Sequence, residues 1–170
     1  MKILFVGDLS KHARSRQRFI TMQNLGHSVD GLPSEPVKNQ PMPNYKAKLS
    51  QRIRHKIGYP VDLIGLNQKL LVAITNYKPN LLWIEKANTI WPNTYREIKS
   101  NFPNLKIVYY SEDDIYVRNN RTVYLTKSLP IFDIVYTTKP RNLNELPNLG
   151  VKKVVCTYKG YEPNFHRPLD

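Results

Sequence analysis

Residues 63–85 read LIGLNQKLLVAITNYKPNLLWIE. Leu63, Leu66, Leu70, Leu71, Ile74 and Tyr77 recur at three- and four-residue spacing, which predicts a helix with one apolar face. Asp62 stands just before it, where a capping side chain belongs. Lys78-Pro79-Asn80 stops the helix, because proline cannot continue it. Leu81–Glu85 then runs almost without a polar residue, the mark of a strand covered on both faces. A helix delivered straight into such a strand is half of a parallel crossover.

The same alternation recurs on both sides. Lys2–Gly7 reads as a buried strand. Ser15 can cap a helix carrying Phe19, Met22 and Leu25, and Gly26 marks its end. Residues 27–32 read as a second strand. Residues 33–43 hold four prolines and read as a loop. Beyond Glu85, Pro92 can open a helix with Tyr95, Ile98 and Phe102 on one side, and Pro103 closes it. Strands follow at 106–110, 133–137 and 153–157, with a weaker helix at 120–128. A short helix at 142–149 is interrupted by Pro147. Strands separated by helices must pair in parallel, since a parallel return needs a long crossover. The expected fold class is α/β: a Rossmann-like, doubly wound parallel sheet of about six strands in one domain.

The 170 residues suit one packed core, and 41% apolar content is too high for disorder. No stretch has the length and apolarity of a membrane span. The N-terminus reads as a strand rather than a signal peptide. Cys156 is alone, which excludes an intrachain disulfide framework and a cysteine-cluster metal site. The expected compartment is the reducing cytoplasm, at most peripheral to the inner face of a membrane. There are 26 Lys and Arg against 13 Asp and Glu, a net charge of +13, so anionic partners are favoured. Residues 1–61 alone carry net +8.

In open parallel sheets ligands collect beyond the carboxyl ends of the strands. That rule selects Gly7, Asp8, Ser10 and the Arg14-Ser15-Arg16 step after the first strand. It selects Glu85 and Lys86 after the third, Ser111 to Asp114 after the fourth, and Thr137, Thr138 and Lys139 after the fifth. No Gly-x-Gly-x-x-Gly follows Gly7 and no Gly-Lys-Ser/Thr occurs, so a dinucleotide-dependent oxidoreductase half is disfavoured. Gly7 either lets a ligand approach the backbone or merely permits a tight turn. Glu112-Asp113-Asp114 is the sharpest acidic feature. One of these carboxylates could hold or deprotonate a sugar hydroxyl, or the run could simply sit at a helix start. No histidine spacing suits a metal, and His12 reads as an ordinary loop residue near the crevice.

Lys46, Lys48, Arg52, Arg54 and Lys56 form the sharpest basic feature, with no acid among them. Leu49, Ile53 and Ile57 share one side of the helix expected over 45–58. That is the pattern of a membrane-surface helix, of a solvated helix whose stripe packs on the sheet, or of a nucleic-acid patch, the last weakened by having only Tyr45 and Tyr59 as aromatics.

Several of these segments resemble the N-terminal domain of GT-B glycosyltransferases. The opening Lys2-Ile3-Leu4-Phe5-Val6-Gly7 strand, Arg16-Gln17-Arg18-Phe19, and Leu25-Gly26-His27-Ser28-Val29 are similar to its start. Tyr77 to Glu85 resembles its lysine–proline–strand step. Lys159-Gly160-Tyr161-Glu162-Pro163, with Phe165 to Pro168, is similar to the entry to the second domain. Tyr110 to Asp114 and Phe132 to Thr138 look most like the spore-maturation, CgeB-like branch. The resemblance implies an acceptor-side half, residues 1–170, whose C-terminal donor domain lies outside this chain and without which it is inactive. It implies sugar transfer to an acceptor hydroxyl without an essential metal or other cofactor, with retention of configuration. The implied partners are a nucleotide-sugar donor, a saccharide or lipid-linked acceptor and an anionic membrane surface, with no specific nucleic acid. Asp113 and Asp114 would be catalytic. Gly7, Asp8, Ser10, Arg14, Glu85, Lys86, Thr138 and Lys139 would bind the acceptor, and Gly160, Tyr161 and Glu162 would form the hinge. The competing expectation is a non-catalytic, basic α/β module for nucleic acid or an anionic membrane.

Overall fold

The computed structural model describes residues 1–35 and 48–160. Its elements run β1 (Lys2–Gly7), α1 (Arg14–Asn24), β2 (Ser28–Pro33), α2 (Leu49–Lys56), α3 (Leu66–Tyr77), β3 (Leu81–Glu85), α4 (Pro92–Asn101), β4 (Lys106–Ser111), α5 (Val123–Ser128), β5 (Ile134–Thr137), α6 (Asn142–Glu145) and β6 (Val154–Cys156). Every strand pair is parallel and the sheet order is β2-β1-β3-β4-β5-β6. The expected α/β, Rossmann-like sheet of six parallel strands is what the chain forms. The winding goes from β1 out to β2, returns across β1 to β3, and continues to the far edge. The reversal lies between β1 and β3, and adjacent crossovers diverge there to leave a crevice at the carboxyl ends.

Alternation along each strand divides the molecule. Leu4, Val6, Leu82, Ile84, Ile107, Tyr109 and Val135 face one way and join Leu66, Leu70 and Ile74 of α3 and Tyr95 and Ile98 of α4 in the main core. Phe132 is fully buried there, stacked on Tyr109 at 5.3 Å and meeting Tyr95 edge-on at 5.1 Å. The opposite face carries Phe5, packed edge-on against Phe19 of α1 at 5.8 Å. It also carries Trp83, stacked between Tyr110 and Tyr136 at 5.9 and 5.7 Å. The period of two therefore places Glu85 on the same face as Trp83, over α1 rather than in the main core.

Local chemistry shifts several expected boundaries. Ala13, not Ser15, occupies the cap position of α1, and Ser15 is a buried residue of its first turn. Leu25 is left exposed beyond Met22, past the end of that helix. α3 begins at Leu66 rather than Leu63 because Gly65 takes a left-handed φ of 66°. Asp62 still caps it, accepting from the Leu66 and Asn67 backbone N–H groups at 2.7 and 2.9 Å. Residues 120–128 divide into a 3-10 turn at Arg118–Asn120 and α5, capped by Thr122, which accepts from the Leu125 N–H. Pro147 lies in a 3-10 turn that follows α6. No helix among the described residues is long and apolar enough to cross a membrane.

Candidate functional site

Gly7 closes β1 against α1. A Cβ there would lie 3.0 Å from the Phe5 ring and 3.3 Å from Ser15 Cβ, so the missing side chain makes room for the helix. Room for helix packing is a role that neither the ligand-approach nor the tight-turn reading of Gly7 named. The chain then turns through Asp8, whose carboxylate accepts from the Ser10 N–H at 3.0 Å, and enters α1. Arg14 and Arg18, one helical turn apart, both reach over the ends of β3 and β4.

Arg18 is the hub. Its Nε and Nη2 donate to the two Glu85 oxygens at 2.7 and 2.6 Å, and its Nη1 donates to Glu112 at 2.7 Å. Its guanidinium lies 4.5 Å above the Tyr110 ring. Glu85 is only 2% exposed and also accepts from Trp83 Nε1 at 2.8 Å. Glu112 takes a second arginine, Arg14, at 2.5 Å. Burial acts to raise the Glu112 pKa, but the hydrogen bonds and charges of Arg14 and Arg18 outweigh it and hold the carboxyl below its ordinary value. Burial likewise opposes charge on Arg18, and its carboxylate partners more than compensate, pushing its pKa up.

These residues, with Asp8, Lys86 and Asp113, line a crevice of about 290 Å³ at the β1/β3 reversal. Asp113 differs from its neighbours. Among the described residues its carboxylate meets only Lys86 Nζ, at 2.8 Å, in a pair whose partners are 60% and 50% exposed. The buried Ser111 hydroxyl holds the turn that presents it, donating to the Asp113 carbonyl and accepting from its N–H. Lys86 has a φ of 50°, a conformation costly for a residue with a side chain. That strain sits at the rim, between β3 and the loop beyond it.

The structure places the other sequence candidates differently. Asp114 does not line this crevice. Its carboxylate takes Arg141, the Asn142 amide and the Tyr116 N–H, and so pins the turn after β4 to α6. Thr138 Oγ1 donates to the Glu112 carbonyl, and the Lys139 N–H donates to Thr137 Oγ1; both bonds shape the rim. Ser10 forms part of the turn into α1. Gly160 is the last described residue and, with Lys159, lines a small recess beside Arg14 and Glu112. Tyr161, Glu162 and Lys46 lie outside the described residues. His12 is exposed and does not line the crevice.

Sequence reasoning missed Arg18 as a site residue. The available signal was the four-residue step from Arg14 to Arg18 in the helix after β1, facing two acids at strand ends. No group of His, Cys, Asp and Glu among the described residues could hold a metal ion.

α2 leaves its apolar stripe in solvent: Leu49, Ile53 and Ile57 are 71%, 52% and 54% exposed. The expectation that this stripe packs on the sheet fails. Gln51, Arg52 and His55 of this segment line a cavity instead.

No protein-family model matches the chain, and no curated protein matches it by sequence. Its fold is similar to solved structures of an α-glucosyltransferase. One, in complex with UDP and a 13-mer DNA containing a HMU base, is 15% identical over 96% of this chain, with a TM-score of 0.55. Another, with UDP-glucose and DNA containing an abasic site, is 16% identical over 96%, with a TM-score of 0.52. A third, with UDP and a 13-mer DNA containing a central A:G mismatch, is 15% identical over 82%, with a TM-score of 0.50. The chain spans 37–43% of the length of those enzymes. At such identities the likeness is one of fold: an open, Rossmann-like α/β domain.

Proposed function

We propose that this chain is the acceptor-side half of a two-domain glycosyltransferase that moves a sugar from a nucleotide-sugar donor to an acceptor hydroxyl. A donor-side domain outside residues 1–170 would complete the cleft, so the chain alone would not transfer. The crevice at the β1/β3 reversal carries this reading. It holds Asp113, paired among the described residues with a single solvent-open lysine, beside Glu85 and Glu112, which are committed to arginines. An acceptor hydroxyl can displace Lys86 from Asp113 at little cost, because an open ion pair contributes at most about 1 kcal/mol. Asp113 then accepts the hydroxyl hydrogen and orients the oxygen toward the donor. Glu85 and Glu112 cannot do this without breaking bonds to Arg18. Asp114 acts as a positioning residue for the Asp113 turn. The likeness to enzymes with bound UDP or UDP-glucose supports a nucleotide-sugar donor.

The test is sugar transfer by the intact enzyme. Asp113→Ala should lower turnover by about 100-fold or more, the contribution of a positioned acid–base group, with thermal stability unchanged. Unchanged turnover would remove Asp113 from the chemistry.

A membrane-surface reading of α2 is supported by its exposed stripe, with Lys48, Arg54 and Lys56 nearby. It would bring the crevice to a lipid-linked acceptor.

A further inference from the structure

Across Lys86 from the crevice lies a second cavity, of about 540 Å³, on the same rim. The turn after β2, α2 and the loop after β3 enclose it. Two atoms of its lining side chains are buried without a hydrogen-bond partner among the described residues: Ser34 Oγ and Asn88 Oδ1. Native interiors rarely leave such atoms unpaired, so each calls for a partner from the cavity, water or ligand. The backbone fixes both residues. The Ser34 N–H donates to the Gly7 carbonyl at 2.9 Å. The Asn88 N–H donates to the Lys86 carbonyl at 2.9 Å, and the Asn88 carbonyl accepts from Thr122 Oγ1 at 3.3 Å. An amide flip lets Asn88 present either a donor or an acceptor to the space.

The charge of this cavity is opposite in kind to the balanced crevice. Arg52, His55 and Lys86 line it against the single acid Glu35. Neither Arg52 nor His55 makes a side-chain hydrogen bond or ion pair among the described residues. Val61 and Pro60 supply an apolar wall. A planar guanidinium, an ammonium, a hydroxyl and an amide converging from different directions match a tetrahedral oxyanion with several acceptor oxygens better than a flat carboxylate.

We propose that this cavity binds the phosphate of a phosphorylated sugar, through Arg52, Lys86, Ser34 and Asn88, with the ring against Val61 and Pro60. As a statement about the acceptor it rests on the glycosyltransferase reading, since Lys86 joins this cavity to Asp113. As an anion site it stands without that reading. A phosphate could also come from a donor diphosphate, so the test separates the two sources.

Calorimetric titrations of this chain at physiological salt would compare hexose 6-phosphate, the free hexose, inorganic phosphate and UDP. Hexose 6-phosphate should bind at least about tenfold tighter than each of the others, as charge-assisted bonds and ring contact together require. Ser34→Ala and Arg52→Gln should each weaken it by about fivefold or more. Ser34→Ala should leave the melting temperature of the empty chain equal or higher, since the hydroxyl holds nothing. Unchanged binding in both variants, a hexose that binds as well as its phosphate, or a lower melting temperature for Ser34→Ala would overturn the proposal. UDP binding tightest would overturn the acceptor assignment in favour of donor phosphate. Phosphate binding without any sugar transfer by the intact enzyme would sink the glycosyltransferase reading and leave this site standing.

Discussion

Arg18 shows how one side chain organises the rim. It holds Glu85, which β3 buries on the α1 face, and Glu112, which β4 delivers beside it. Removing one member of a buried pair leaves its partner charged and unsolvated, a cost of about 3–5 kcal/mol. Arg18→Ala should therefore destabilise the chain severely in denaturant melts. Arg18→Ala combined with Glu85→Gln should recover part of the loss, because the stranded charge is gone. Equal melts for the single and double variants would refute the coupling. Arg18 was hidden in the sequence because nothing there fixes which acids a helix faces. Asp113 and Asp114 were equally indistinguishable, since adjacent carboxylates differ only in where the turn aims them. Only the fold gives Asp114 to Arg141 and Asn142 and leaves Asp113 facing the crevice.

At the level of elements, the strands were legible because burial on both faces demands continuous apolar runs. The helices were legible from the apolar faces that α3 and α4 turn to the sheet. α2 was the ambiguous case. Its stripe has the same spacing as a core-packing helix, and the period says nothing about what lies against it. The structure leaves Leu49, Ile53 and Ile57 open. If α2 docks on anionic lipid, vesicles rich in phosphatidylserine should sediment the chain. Ile53→Asp, by adding a charge to the inserted face, should abolish that sedimentation while leaving the melting temperature unchanged. Sedimentation of Ile53→Asp equal to the parent, or with neutral vesicles, would contradict insertion of this face.

Across the whole molecule, stability should be lost on the acid side. Asp62, Glu112, Asp114 and Asp133 all have lowered pKa values. In each, burial opposes ionisation but donated hydrogen bonds prevail, joined at Glu112, Asp114 and Asp133 by nearby cations. A carboxyl whose folded pKa lies below its unfolded value, near about 4, contributes stability that is complete above that value. The contribution disappears as pH falls through the folded pKa. Melting temperatures should therefore hold level from about pH 7 to 5 and drop steeply below about pH 4, where the excess of positive charge adds repulsion. A steady decline beginning near neutrality would contradict these assignments. The rim that carries the crevice followed from the parallel alternation in the sequence, whereas its place between β1 and β3 needed the strand order of the folded sheet. The second cavity was not legible in the sequence, since Ser34, Arg52 and Asn88 lie on three separate segments with no motif joining them. The most direct measurement is saccharide retention by this chain on a glycan array at physiological salt, with Asp113→Asn in parallel. Retention of a defined saccharide, competed by the free sugar and weakened about tenfold or more by Asp113→Asn, is the predicted result. Retention only of generic polyanions, released by salt and indifferent to Asp113, would contradict an acceptor site in the crevice.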